Sequence, residues 1–114
     1  MANDFKNAIK AGVGTTAVEV YAPPTSKSSI LIECDIANKH TSAITASVTV
    51  TDVSTSPDTV GYLVKDAPIP VGGSLQAIAG QKIVLEPEDK LKVQTSVNGS
   101  ADVVCSILED VNTP

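Results

Sequence analysis

Arginine and tryptophan are missing from this chain of 114 residues, and histidine occurs once, as His40. All eight basic residues are lysines, set against 13 acidic residues, for a formal net charge of −5. Nucleic-acid binding relies on clustered cations and on arginine forks against phosphate and guanine, so this composition argues against it. An anionic membrane surface is excluded on the same grounds. A zinc site built from histidines is impossible, and any histidine-based catalysis would have to use His40. No stretch approaches the roughly 20 apolar residues that span a bilayer. The start of the chain, Met1-Ala2-Asn3-Asp4-Phe5-Lys6-Asn7, is polar and lacks the apolar core of a signal peptide, so synthesis and folding in a cytoplasm are expected. In that reducing compartment Cys34 and Cys105 are expected as free, buried thiols.

The apolar residues that are present have a distinctive makeup. There are 15 Val and 9 Ile but only 6 Leu, with 11 Ser and 11 Thr. Side chains branched at Cβ are stiff at χ1 and pack well on a pleated surface, so this is an all-β composition.

Period-two alternation runs along most of the chain. Val18 and Val20 alternate with Glu19 and Tyr21 before Pro23-Pro24. Ile30, Ile32, Cys34 and Ile36 form one face, with Glu33 and Asp35 on the other. Ile44, Ala46, Val48 and Val50 are predicted to face a core, and Thr45, Ser47, Thr49 and Thr51 a wet surface. Further strands are predicted over 60–67, 74–79, 81–85 and 91–95. A last strand points Val103, Cys105 and Ile107 inward. Glu86-Pro87-Glu88-Asp89 reads as a type I turn with proline at its second position, and Asn98-Gly99 as a type I′ turn. About eight short strands separated by turn signals every 8–12 residues or so predict an antiparallel sandwich or a jelly-roll-like barrel. Residues 1–16 stand apart as an N-terminal arm, extended or briefly helical, because Gly12 and Gly14 interrupt the Phe5, Ile9, Val13 spacing. Residues 17–110 form the single β-sandwich domain and 111–114 a polar tail.

Chemistry-bearing residues are sparse. His40 lies in a turn with no carboxylate beside it and is expected to be an exposed loop residue. Cys34 and Cys105 lack the CxxC spacing of a metal site. Glu86, Glu88 and Asp89 match no calcium-loop spacing and are expected to form a solvated turn. Gly12-Val13-Gly14 and Val71-Gly72-Gly73 lack the long glycine pattern and following helix of a phosphate loop. No catalytic, cofactor or metal residue is therefore assigned, and an enzyme is not expected. Phe5 is the informative aromatic, because a large apolar side chain on an arm needs a place to be buried. Phe5, Ile9 and Val13 are assigned as interface residues that dock on a neighbouring subunit.

Several phrases follow one another along the chain: Phe5-Lys6-Asn7-Ala8; Gly14-Thr15-Thr16-Ala17-Val18-Glu19-Val20-Tyr21; Leu63-Val64-Lys65-Asp66-Ala67-Pro68-Ile69-Pro70-Val71-Gly72-Gly73-Ser74-Leu75; Lys82-Ile83-Val84-Leu85-Glu86-Pro87-Glu88-Asp89-Lys90-Leu91-Lys92-Val93; and Ala101-Asp102-Val103-Val104-Cys105-Ser106-Ile107-Leu108-Glu109. This order resembles small virion structural proteins of tailed bacteriophages, notably those of cyanobacterial and other marine phages. Pro87 departs from the pattern, standing where a small or glycine residue is expected in a Leu-Glu-x-Gly-Asp turn. The resemblance implies a structural role in a virion assembled in the host cytoplasm, with the major capsid protein or tail proteins as partners. The reading that follows is a capsid decoration or cement protein acting as a symmetric homo-oligomer, with a trimer favoured. A tail, neck or baseplate protein of the same virion is the alternative within that class. An Ig-like glycan-binding module is the alternative outside it.

Overall fold

The computed structural model describes residues 4–78 and 82–110 of the chain. Residues 1–3 of the expected arm, the 111–114 tail and the strand ends expected at Ala79 and Gln81 lie outside the described residues. Nine strands follow in order: β1 (Asp4–Val13), β2 (Val18–Tyr21), β3 (Ser29–Asn38), β4 (Ile44–Asp52), β5 (Thr59–Ile69), β6 (Ser74–Ile78), β7 (Ile83–Leu85), β8 (Lys90–Thr95) and β9 (Ala101–Glu109). They form two antiparallel sheets, as the all-β composition requires, and pack as a sandwich. The first sheet runs β1-β9-β3-β6, with β7 also paired to β3; the second runs β2-β8-β4-β5. Among the described residues there is no helix long and apolar enough to cross a membrane.

The core lies between the sheets. Leu31, Cys34, Ile36, Val103, Cys105 and Ile107 fill it from the first sheet, and Ile44, Ala46, Val48, Leu91 and Val93 from the second. Alternation in β9 and in β4 from Ile44 to Val48 matches this directly, but at the end of β4 Val50 is only half-buried and Thr51, expected on the wet surface, is buried. In β3 the inward set differs from the simple alternation. Leu31 is buried, whereas Ile30 and Ile32 are half-exposed, because a bulge against β9 lies between Leu31 and Glu33. One extra residue in a strand flips every side chain beyond it to the opposite face.

The ninth strand comes from the segment expected as an arm. Asp4–Val13 is the edge strand of the first sheet, in register with β9 from Asp4 opposite Glu109 to Lys10 opposite Val103. Chain connection at its end is tight. Thr95 N–H donates to Gly14 O at 2.8 Å and Ser100 N–H to Val13 O at 3.1 Å. A Cβ on Gly14 would come within 2.6 Å of Asn98 Oδ1, so glycine is needed there.

Both turn types expected from the sequence are corrected. Glu88 has φ of +71°, which makes Glu86–Asp89 a type II turn closed by Asp89 N–H to Glu86 O at 3.0 Å. In the Asn98-Gly99 turn only Gly99 has positive φ, so it is not type I′, which needs both residues left-handed. Asn98 serves instead through its side chain, whose Oδ1 accepts from Thr15 N–H at 3.0 Å and Thr15 Oγ1 at 2.9 Å.

Candidate functional site

The three expected interface residues separate. Phe5 and Ile9 lie on the outer face of the first sheet and are 77% and 65% exposed. Val13 does not belong with them: it is 1% exposed, within the core. All three have the same parity, so a regular strand would put them on one face. A bulge between Lys10 and Val13, with Gly12 at φ +68°, shifts the register and turns Val13 inward. Val13 is a folding residue, not a docking one.

The pairing register then places further apolar side chains beside Phe5. Phe5 is opposite Leu108, Leu108 opposite Ile30, and Ile30 opposite Val84. Directly opposed residues share a face about 5 Å apart, so these four form one row across β1, β9, β3 and β7. Phe5 and the 62% exposed Val84 stand at its ends, with the half-buried Leu108 and Ile30 between them. Ile9 and Val104 begin a parallel row that continues into Asp35 and Gln76. The row between them is polar, Asn7-Ser106-Glu33.

Electrostatics on this face come from two neighbouring carboxyls. The Asp35 charge, and a hydrogen bond with it, hold the Glu33 carboxyl above the usual carboxylate range. Among the described residues, Asp35 Oδ1 is buried without a hydrogen-bond partner. The strand edge itself is guarded. Lys6 and Lys10 on β1 lie opposite the inward-facing Ile107 and Val103, yet both are exposed, and Lys6 pairs with Glu109 at 3.3 Å. Lysines pointing inward on an edge strand oppose edge-to-edge pairing. Docking on this sheet is therefore favoured at its face.

No protein-family model, curated protein or solved structure matches this chain.

The remaining sequence candidates have structural roles. Cys34 and Cys105 are free, fully buried and directly opposite each other on β3 and β9. A hydrogen bond with Cys34, together with burial, pushes the Cys105 thiol far above its ordinary value, so it is a poor nucleophile. His40 is half-buried in its turn, and its N–H donates to Asn38 Oδ1 at 2.8 Å. Asp89 is buried rather than solvated. Its carboxylate accepts from Val53 N–H at 3.1 Å and Glu86 N–H at 3.0 Å, tying the turn to the β4–β5 loop. Carboxylate oxygens of Asp52, Glu86 and Asp89 come within 4.8 Å of one another, but Asp52 and Asp89 are engaged by these loop contacts. Tyr21 joins the sheets, with its hydroxyl bonded to Ser29 Oγ at 2.7 Å and to Glu109. Burial and that carboxylate neighbour raise the Tyr21 hydroxyl well above its usual value.

A second feature, on the outer face of the other sheet, escaped the sequence reading. The Thr45 and Ser47 side of β4, expected as a wet surface, forms the floor of a cleft of about 410 Å³. Two irregularities in β5 build its wall. Ala67 pairs with Ala46 and Val64 with Val48, so Lys65 and Asp66 both oppose Ser47; Tyr62 then pairs with Thr49. No residue pattern announces such a bulge, because it depends on where β4 sits.

Proposed function

We propose that this chain is a non-enzymatic structural component of a bacteriophage virion, a capsid decoration or cement protein that works as a symmetric homo-oligomer, with a trimer favoured. The observation that carries this reading is the outward-facing apolar row Phe5-Leu108-Ile30-Val84, exposed at its two ends, with the exposed Ile9 and Val104 beside it. Such a row on one face of a small acidic domain is the kind of patch that marks a protein contact. Asp35 Oδ1, buried and without a hydrogen-bond partner among the described residues, offers a neighbouring copy an acceptor beside this row. Acidic character keeps a protein of high copy number soluble until its apolar face is covered. The resemblance to small phage virion proteins supplies the particle, and the face supplies the contact. The partner beyond the oligomer is the major capsid protein, or tail proteins if the chain belongs to the tail, neck or baseplate.

Antibody labelling of purified virions that encode the chain tests the placement. Label distributed over the shell is the expected result. Label confined to the neck, tail or baseplate moves the same contact to a ring there, where closed rotational symmetry would fix the copy number. Particles without label contradict the virion reading.

A further inference from the structure

We propose that the cleft on the β4–β5–β8 face is a binding site for a neutral, hydroxyl-rich ligand, one sugar unit of a glycan chain. This site lies on the opposite sheet from the apolar row, so it is independent of the oligomer contact and open when that contact is made. Its volume of about 410 Å³ falls within the roughly 300–1,000 Å³ of small-molecule sites. Most such sites are chiefly apolar, whereas this one is walled by Thr45, Ser47, Lys65, Asp66 and Gln94, with Tyr62 as the one ring.

The chemistry of that wall selects among ligands. One lysine stands beside one carboxylate, so the site carries no net charge to attract phosphate or a metal ion. Phosphate calls for several cationic or N–H donors, and calcium for several oxygen anions. Hydroxyls and a carboxamide both donate and accept, which matches the vicinal hydroxyls of a sugar. The groups are already oriented by bonds within the chain that leave capacity for a ligand. Asp66 N–H donates to Ser47 Oγ at 2.9 Å, Ser47 Oγ donates to Asp66 Oδ1 at 3.4 Å, and Gln94 Nε2 donates to Thr15 O at 2.7 Å, which leaves Gln94 Oε1 and Asp66 Oδ2 for a ligand. Lys65 Nζ lies 5.3 Å from the Tyr62 ring centroid and steadies a ring that remains 56% exposed. A sugar presents a face of C–H groups that packs on such a ring.

Backbone strain marks the same place. Asp66 holds φ of +50°, a left-handed conformation unusual outside glycine, in a bulge that aims its side chain over β4. Bulges and such residues concentrate where a side chain is being positioned for use.

The test titrates the full-length protein with cello-, malto- and chito-oligosaccharides and follows backbone amide resonances by NMR. The expected result is a saturable shift with at least one of the three, confined to Ser47, Tyr62, Asp66, Gln94 and their neighbours. Tyr62→Ala, at an exposed position, then weakens binding by about tenfold or more. Asp66→Gly removes the carboxylate while suiting the left-handed backbone, so it stays folded and also weakens binding. The inference is overturned if none of the three sugars shifts these resonances at ~10 mM, weaker than any useful affinity on the usual scale. It is equally overturned if the shifts survive both substitutions, or if inorganic phosphate produces them and sugars do not.

Discussion

Phe5 and Val13 were indistinguishable as arm residues in the sequence, and their substitutions should now separate assembly from folding. Val13 is 1% exposed and its environment is the core between the sheets. Val13→Ala removes two buried methyl equivalents, about 0.8 kcal/mol each in transfer free energy. A residual cavity adds to this, so the expected loss of stability is about 2–3 kcal/mol. For a domain of this size that lowers Tm by roughly 8–15 °C. Phe5 is 77% exposed within the subunit, so Phe5→Ala should change subunit stability by no more than about 0.5 kcal/mol. At an interface the same ring contributes about 1.5–3 kcal/mol per contact, a loss of roughly 10- to 150-fold in association. Thermal melts of dilute protein and sedimentation velocity over a concentration series measure the two quantities. A Val13→Ala protein that melts like the parent refutes the placement of β1 in the domain. A Phe5→Ala protein that assembles like the parent refutes the apolar row as the contact.

Glu88→Gly should stabilise the protein by about 0.5–1 kcal/mol: relieving the left-handed φ of a residue with Cβ gains about 1–2 kcal/mol, and the added chain entropy of glycine offsets part of it. A lower Tm for this variant would show that the type II turn is misassigned. Neither Cys34 nor Cys105 should react with a thiol reagent in the native protein, and both should react in denaturant, because both are buried and the Cys105 thiol is held neutral. Stoichiometric labelling under native conditions would contradict their placement. Because the fold favours the neutral Tyr21 hydroxyl, its contribution is complete below the unfolded value of about pH 10 and is lost as pH rises through the higher folded one. Urea melts should therefore weaken at strongly alkaline pH in the parent and less so in Tyr21→Phe, which itself costs about 0.5–1.5 kcal/mol near neutrality. An alkaline limb identical in both proteins would refute the Tyr21–Glu109 contact.

Strand faces were legible wherever a strand ran without interruption. In β4, Ile44, Ala46 and Val48 alternate with Thr45 and Ser47, and β9 is as regular, so side-chain period alone placed their inward residues. In the first sheet the misread faces fall at bulges. Ile30 and Ile32 look like core positions until the extra residue before Cys34 is seen, and Val13 looks like Phe5 until Gly12 turns the chain. A bulge is set by the partner strand across the sheet, which a single sequence does not display. Glycines at 12 and 14 read as the end of a short helical spacing, whereas one supplies a left-handed step and the other a close approach to Asn98. The apolar row was invisible for the same reason. Phe5, Ile30, Val84 and Leu108 are far apart in sequence and meet only through strand order. The cleft needed both strand order and two irregularities in β5.

If the outer face of the first sheet holds copies of this chain together, the purified protein is an oligomer whose mass depends on that face. The most direct measurement is the mass of the purified full-length protein by light scattering after gel filtration, repeated over a concentration series. A discrete species at three times the subunit mass of 11.7 kDa, shifted toward monomer by Phe5→Ala, is expected. A protein that stays monomeric at every concentration, or an oligomer indifferent to Phe5, would contradict it.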